Sequence, residues 1–223
     1  PLKVTVPELT ESNTFIISVT ATDRDSEMYG PVSYRIISPH KGFVINPTTG
    51  SIHTDTPVEI KDKNTVIPIL VAAQDNGFPV LTSTVIIELQ VHDTNNHAPI
   101  FSEDVYQICV RENTSIGETI LTFTATDLDW TCENGYIDFS IAGGNLQNMF
   151  VVESVGILSQ PPFVVTGKLA INGILDYEIN RNHKLLLIAS DRGLPSLSSS
   201  TTVLISIIDS NDNPPLLQSN EYH

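Results

Sequence analysis

The sequence predicts an all-β protein made of two seven-stranded Greek-key (Ig-like) β-sandwiches in series. Three observations predict it. Short β-branched segments, several alternating apolar with polar residues, are bounded by Gly, Pro, Asn or Asp. Motifs recur at an offset close to the length of one small domain. No long stretch carries helical periodicity, and about seven strands per hundred residues is the density of a sandwich.

Taken in order, the strand candidates are Phe15–Val19, Val85–Val91, Thr119–Thr124, Leu185–Ile188 and Val203–Ile208. The most apolar run, Val66–Ala73, contains Pro68 and is far shorter than the roughly 20 residues of a spanning helix. Val6-Pro7-Glu8 matches Val110-Arg111-Glu112, and Ala21-Thr22-Asp23-Arg24-Asp25 matches Ala125-Thr126-Asp127-Leu128-Asp129, both at an offset of 104. Asp75-Asn76-Gly77-Phe78-Pro79 then matches Asp191-Arg192-Gly193-Leu194-Pro195 at an offset of 116. The extra 12 residues (116 − 104) must lie between, and Gly143–Pro162, with Gly143-Gly144-Asn145 and Pro161-Pro162, is expected to be an enlarged loop. Pro99, Phe101 and Tyr106 correspond to Pro215, Leu217 and Tyr222, again 116 apart. The expected organisation is therefore a first repeat over 1–97, lacking its first few residues, a second over 98–213, and the start of a following repeat over 214–223.

Composition narrows the function. In 223 residues, 40% are hydrophobic and 17% charged, which suits folded domains rather than a disordered tail. The net charge of −15 leaves no basic stripe to neutralise phosphates, so nucleic acid and anionic membrane surfaces are disfavoured partners. No segment resembles a signal peptide, and no direct membrane insertion by this stretch is expected. Two cysteines, Cys109 and Cys132, exclude a disulfide-stapled miniprotein.

The acids are not scattered. Asp209-Ser210-Asn211-Asp212-Asn213-Pro214-Pro215 offers carboxylates and amides on a backbone stiffened by two prolines, and a weaker copy, Asp93-Thr94-Asn95-Asn96-His97-Ala98-Pro99, stands 116 residues earlier. Calcium takes six to eight such hard oxygens. Glu8, Asp23, Asp25, Asp75, Glu112, Asp127, Asp129, Asp176, Glu178 and Asp191 recur at strand ends. Any one of them could be a turn or cap residue. Ten in register are a different matter: two carboxylates at ~4 Å repel by ~4 kcal/mol at an effective dielectric near 20, which a divalent cation relieves.

Five of these segments, in order, resemble the calcium motifs of extracellular cadherin repeats: the glutamate of Val110-Arg111-Glu112-Asn113, Thr126-Asp127-Leu128-Asp129, Leu175-Asp176-Tyr177-Glu178, Asp191-Arg192-Gly193-Leu194-Pro195 and Asp209–Pro215. The resemblance covers the whole chain. It implies repeats joined end to end with up to three Ca2+ at each joint. It assigns Glu8, Asp93, Thr94 (carbonyl) and Asn95 to the upper side of the joint inside this chain, and Asp127, Asp129, Asp191 and Asn134 (carbonyl) to the lower side. Glu112, Asp176, Glu178, Asp209, Asn211 and Asp212 would form an upper set for a following repeat. Asp23, Asp25 and Asp75 would form a lower set for a preceding one.

Two departures bear on the internal joint. Asp176-Tyr177-Glu178 has no clean counterpart near Val58-Glu59-Ile60-Lys61-Asp62, where only Glu59 or Asp62 could substitute. Asn96 and His97 replace the second aspartate and following asparagine of Asp209–Asn213. Fewer charges lower calcium affinity. The expectation is that the innermost upper ion is absent, the middle one weak or absent, and the ion of Asn95, Asp127, Asp129 and Asp191, with the His97 and Asn134 carbonyls, retained. Such a joint should bend.

His97 is expected to serve through its backbone carbonyl rather than as a pH sensor or transition-metal ligand, and the six histidines show no metal-type spacing with each other or with cysteine. Cys109 and Cys132 are expected to lie too far apart to bridge. Asn113-Thr114-Ser115 is the single glycosylation sequon. Trp130 follows a calcium aspartate and is expected to pack locally. No nucleophile–base pair suggests an enzyme. The resemblance implies calcium-dependent cell–cell adhesion by ectodomain repeats of a long Fat, Dachsous or protocadherin-type plasma-membrane cadherin, whose partners are neighbouring repeats and another cadherin. The alternative is a partner-binding or dimerising module acting through the enlarged loop, with Ile157, Leu158, Phe163 and Val164 as an apolar patch.

Overall fold

Burial alternates residue by residue along the long strands of the computed structural model, which describes residues 1–25, 31–38, 42–59, 65–157 and 161–215. In the last strand Thr201, Val203, Ile205 and Ile207 are buried while Ser206 and Ile208 face outward. The chain divides at Thr94/Asn95 into two compact units.

Unit 1 has seven strands among the described residues: β1 (Leu2–Pro7), β2 (Phe15–Ser18), β3 (Ser33–Ile36), β4 (Phe43–Ile45), β5 (Ser51–Thr54), β6 (Val66–Gln74) and β7 (Thr82–His92). They form two sheets, β1-β7-β6-β3 and β2-β5-β4. Between them lies a mainly aliphatic core in which Ile52, Ile69, Val71, Ile87 and Leu89 are all but fully buried. Pro68 sits in mid-strand without breaking the ladder. It pairs with Glu88 on one side, while β3 on the other side reaches only Val71 to Gln74, so its missing N–H costs no bond.

Unit 2 has eight strands among the described residues: β8 (Ile100–Phe101), β9 (Val105–Arg111), β10 (Thr119–Asp127), β11 (Asp138–Gly143), β12 (Phe150–Ile157), β13 (Phe163–Ile171), β14 (Asn182–Ser190) and β15 (Ser198–Ile208). The added strand arises because the first is split: Ile100–Phe101 pairs with β10 in one sheet, while Val105–Arg111 pairs with β15 in the other. The sheets are β12-β13-β10-β8 and β11-β14-β15-β9. The core contains an aromatic group: Phe123 meets Phe139 edge-on at 4.9 Å, with Phe101 and Tyr106 around them. In both units the first strand runs parallel to the last, β1 with β7 and β9 with β15, although the other neighbours are antiparallel.

The enlarged loop expected over Gly143–Pro162 is corrected by the structure. A 3-10 turn (Leu146–Asn148) and β12 occupy most of it. Asn145 clamps the excursion, its amide donating to the Phe150 carbonyl (2.8 Å) and its oxygen accepting the Phe150 N–H (3.0 Å). The additional residues instead lengthen a hairpin. Phe43 pairs with Thr54 across 11 residues (54 − 43), whereas Phe150 pairs with Ile171 across 21 (171 − 150). The apolar patch expected there is also corrected. Phe163 is 2% exposed and Val164 half-buried, because β13 is an inner strand, and Leu158 lies outside the described residues.

Candidate metal centres

Strand β10 carries Asp127 at its end, and the chain then turns immediately. The turn is closed by the Asp129 N–H donating to Asp127 Oδ1 (2.9 Å). A helical turn, α1 (Cys132–Gly135), follows, and β13 backs it: a Cβ on Gly135 would overlap the Phe163 ring, and Phe163 itself pairs with Asp127. Asp191 leaves the end of β14, and its carboxylate Oδ1 accepts the N–H groups of Gly193 and Leu197, both at 3.0 Å. Two segments distant in sequence thus aim three carboxylates at one place. Asp127, Asp129 and Asp191 are 0%, 1% and 4% exposed, and their oxygens lie within 4.8 Å of one another.

The segment after Thr94 joins this cluster. The Asn95 amide donates to Asp191 Oδ1 (2.9 Å) and to the Pro195 carbonyl (2.6 Å). The His97 N–H donates to Asp129 Oδ1 (3.2 Å), and its Nδ1 lies 3.0 Å from the same oxygen. Asp127 Oδ2 and Asn95 Oδ1 are buried without a hydrogen-bond partner. Burial pushes the Asp127 carboxyl from 3.8 up to about 6; the charges of Asp129 and Asp191 push the same way, opposed by the Asp129 N–H and by His97. Buried anions with orphaned oxygens fit a hard cation, which would take up lone pairs that no donor satisfies.

A second group stands elsewhere on unit 2. Glu112, 5% exposed, accepts the Tyr177 N–H (2.7 Å) and the Ser210 N–H, and its carboxylate lies within 4.8 Å of donors from Asp176 and Glu178. Among the described residues these are the two groups of three or more potential ligands. Asp209, Asn211 and Asp212 are exposed and outside the second group. In unit 1, Glu8 is 8% exposed and accepts the Thr94 N–H (3.0 Å); burial raises its carboxyl above the usual range, and Asp93 beside it adds to that. Asp23 accepts the Asp25 N–H (2.9 Å) and leaves Oδ2 buried and unpartnered, as its counterpart Asp127 does, while Asp75 Oδ1 accepts Gly77 and Leu81. Asp23, Asp25 and Asp75 do not form a three-ligand group. Glu59 is exposed, and Asp62 lies outside the described residues.

Residues 2–92 and 106–208 match the cadherin domain family. The chain belongs to that family. Cadherin domains bind calcium as a class and are adhesion modules, not enzymes. The chain is 39% identical to human protocadherin-23 over 221 residues, 99% of this chain and 6% of that protein. It is 31% identical to Drosophila protein dachsous over 229 residues, again 99% of this chain and 6% of the relative. It therefore spans a small fraction of the curated relatives that it matches. Among solved structures, mouse cadherin-23 EC22-24 superposes with a TM-score of 0.81 at 26% identity, over 95% of this chain and 64% of that one.

Within these cadherin domains, Asn134 sits in α1, where the Thr131 hydroxyl accepts its N–H (3.4 Å). The two cysteines are both free and exposed. Asn113 is exposed in the turn after β9. Sequence reasoning missed Gly193 and Phe163. A Cβ at Gly193 would overlap the Asn95 amide, so only glycine lets that side chain reach Asp191. The Asp-x-Gly spacing shared by Asp75-Asn76-Gly77 and Asp191-Arg192-Gly193 was the available signal. Nothing local marked Phe163, because its role depends on pairing across β10 and β13.

Proposed function

We propose that this chain is a pair of calcium-binding extracellular repeats from a long plasma-membrane cadherin that acts in calcium-dependent cell–cell adhesion. The carrying observation is the buried Asp127–Asp129–Asp191 cluster with the orphaned oxygens of Asp127 and Asn95. Those residues, with backbone carbonyls near His97 and Asn134, would hold Ca2+; Glu112, Asp176 and Glu178, with Asp209, Asn211 and Asp212 of the following segment, would hold it at the second place. Glu8, Asp93 and Thr94, and separately Asp23, Asp25 and Asp75, complete the set as half-sites. Partners are neighbouring repeats of the same chain and a cadherin on another cell.

Asn96 in place of an acid, and the missing counterpart of Asp176-Tyr177-Glu178, support a joint short of its full complement of ions and therefore flexible. Calcium titration by isothermal calorimetry, with small-angle scattering in calcium and in chelator, tests this. Tight uptake of a full complement with a marked gain in length refutes the flexible joint, and no uptake refutes the whole reading. Asn113 would carry an N-glycan, read as a mass loss on glycosidase treatment of protein secreted from animal cells. A second reading, contact through the long β12–β13 hairpin, is favoured by β12 being a sheet edge with Val151 and Val155 exposed; a monomer by light scattering at micromolar concentration removes it.

A further inference from the structure

We propose that Arg192 is a positioning residue for the ion site of Asp127, Asp129 and Asp191, latching the loop after β14 onto the segment between α1 and β11. This rests on the calcium reading above. The guanidinium lies directly after Asp191 and grips Asp138 with both arms, Nε to Oδ2 at 2.7 Å and Nη2 to Oδ1 at 2.8 Å. It also stacks over the Tyr136 ring at 3.7 Å. Tyr136 caps α1 by donating its N–H to the Cys132 carbonyl, and Asp138 opens β11 opposite Ser190, the residue before Asp191. One side chain thus ties together the Asp191 loop, the turn that carries Asn134, and the first rung of the β11–β14 ladder.

Unit 1 makes the same closure with different atoms. Asn76, the counterpart of Arg192 at the 116-residue offset, donates its amide to the Pro31 carbonyl at 3.0 Å. Pro31 lies two residues before Ser33, which opens β3 opposite Gln74; Tyr136 lies two residues before Asp138. Two repeats that differ in both partners still join the residue after the loop aspartate to the same position. The fork on Asp138 pairs the Arg192 charge, and the guanidinium is engaged by Asp138 and the Tyr136 ring rather than by a carboxylate of the cluster. It therefore works by placement, holding ligands where a cation needs them, as outer partners of metal sites do.

Terbium(III) in place of calcium tests the latch, because Trp130, the one tryptophan, follows Asp129 and sensitises only nearby terbium. The chain is titrated with excitation beyond tyrosine absorption, as wild type, Arg192→Ala, Arg192→Asn and Tyr136→Leu. Arg192→Ala is expected to weaken the midpoint by about tenfold. Arg192→Asn, which offers the amide used in unit 1, should recover part of that. Tyr136→Leu, which keeps the fork, should fall between wild type and Arg192→Ala. Melting in chelator is followed in parallel. A purely structural role would lower the apo midpoint and leave terbium binding unchanged, and that result overturns the latch. If Arg192→Ala does not fold, the other two variants decide, and unchanged terbium midpoints in both overturn it. Absence of sensitised emission in wild type refutes the cation reading itself.

Discussion

Asp127→Asn should reverse its effect on stability between chelator and calcium. In the ion-free protein the Asp127 carboxyl, fully buried beside two other acids, has its folded pKa raised from 3.8 to about 6. A raised carboxyl binds its proton more tightly folded than unfolded. Stability from this group is therefore present at acid pH and lost as pH climbs through about 3.8 to 6. At 1.36 kcal/mol per pH unit the full difference is ~3 kcal/mol. Screening by solvent at the cluster reduces that to ~1–2 kcal/mol. The asparagine keeps an oxygen for the Asp129 N–H and places an amide donor where Oδ2 has no partner, so near neutral pH in chelator the variant should melt a few degrees higher. In calcium at a hundred times its dissociation constant, the wild type gains ~2.7 kcal/mol that the variant loses, which restores the wild-type lead. Thermal melting followed by circular dichroism in both buffers is the assay. If the variant melts below wild type in chelator, or if calcium raises both equally, the assignment of Asp127 as a buried ligand is wrong.

Three further outcomes are expected. Calcium affinity at this cluster should fall about tenfold one pH unit below the Asp127 value of about 6, as protons compete for the ligand, measured by calorimetry across buffers. Gly193→Ala should displace the Asn95 amide and weaken calcium by roughly tenfold with the fold intact, seen as reduced uptake beside an unchanged far-ultraviolet spectrum. Phe163→Ala should cost ~3–5 kcal/mol in urea unfolding, since its ring fills the space between β13 and α1.

Much of this was legible because it is local or periodic. Val203–Ile208 is a short run rich in β-branched residues closed by Asp209, and Asp127-Leu128-Asp129 folds back through its own backbone, so both were visible in a few consecutive residues. What failed depends on long-range pairing. Phe150–Ile157 read as a loop because glycines and prolines flank it, yet pairing with β13 makes it a strand. Phe163 read as surface because it follows Pro161-Pro162, yet β10 draws it inward. Arg192 carried no signal in its own sequence; its meaning appears only when Tyr136 and Asp138 are brought beside it.

The parallel pairing of β9 with β15 has a mechanical consequence. In unit 2 the chain passes from the short β8 into β9 and runs on past β15, and β9 and β15 lie side by side from Val105–Thr202 to Arg111–Ile208. A force applied to the two ends of this unit pulls the strands past each other along their length. It loads every rung of that ladder at once rather than peeling them singly. The bonds from Glu112 to Ile208 and Ser210 extend the loaded zone by one more step. Rupture then requires all the rungs to yield together, so the unit is built to transmit a pull along its axis without opening.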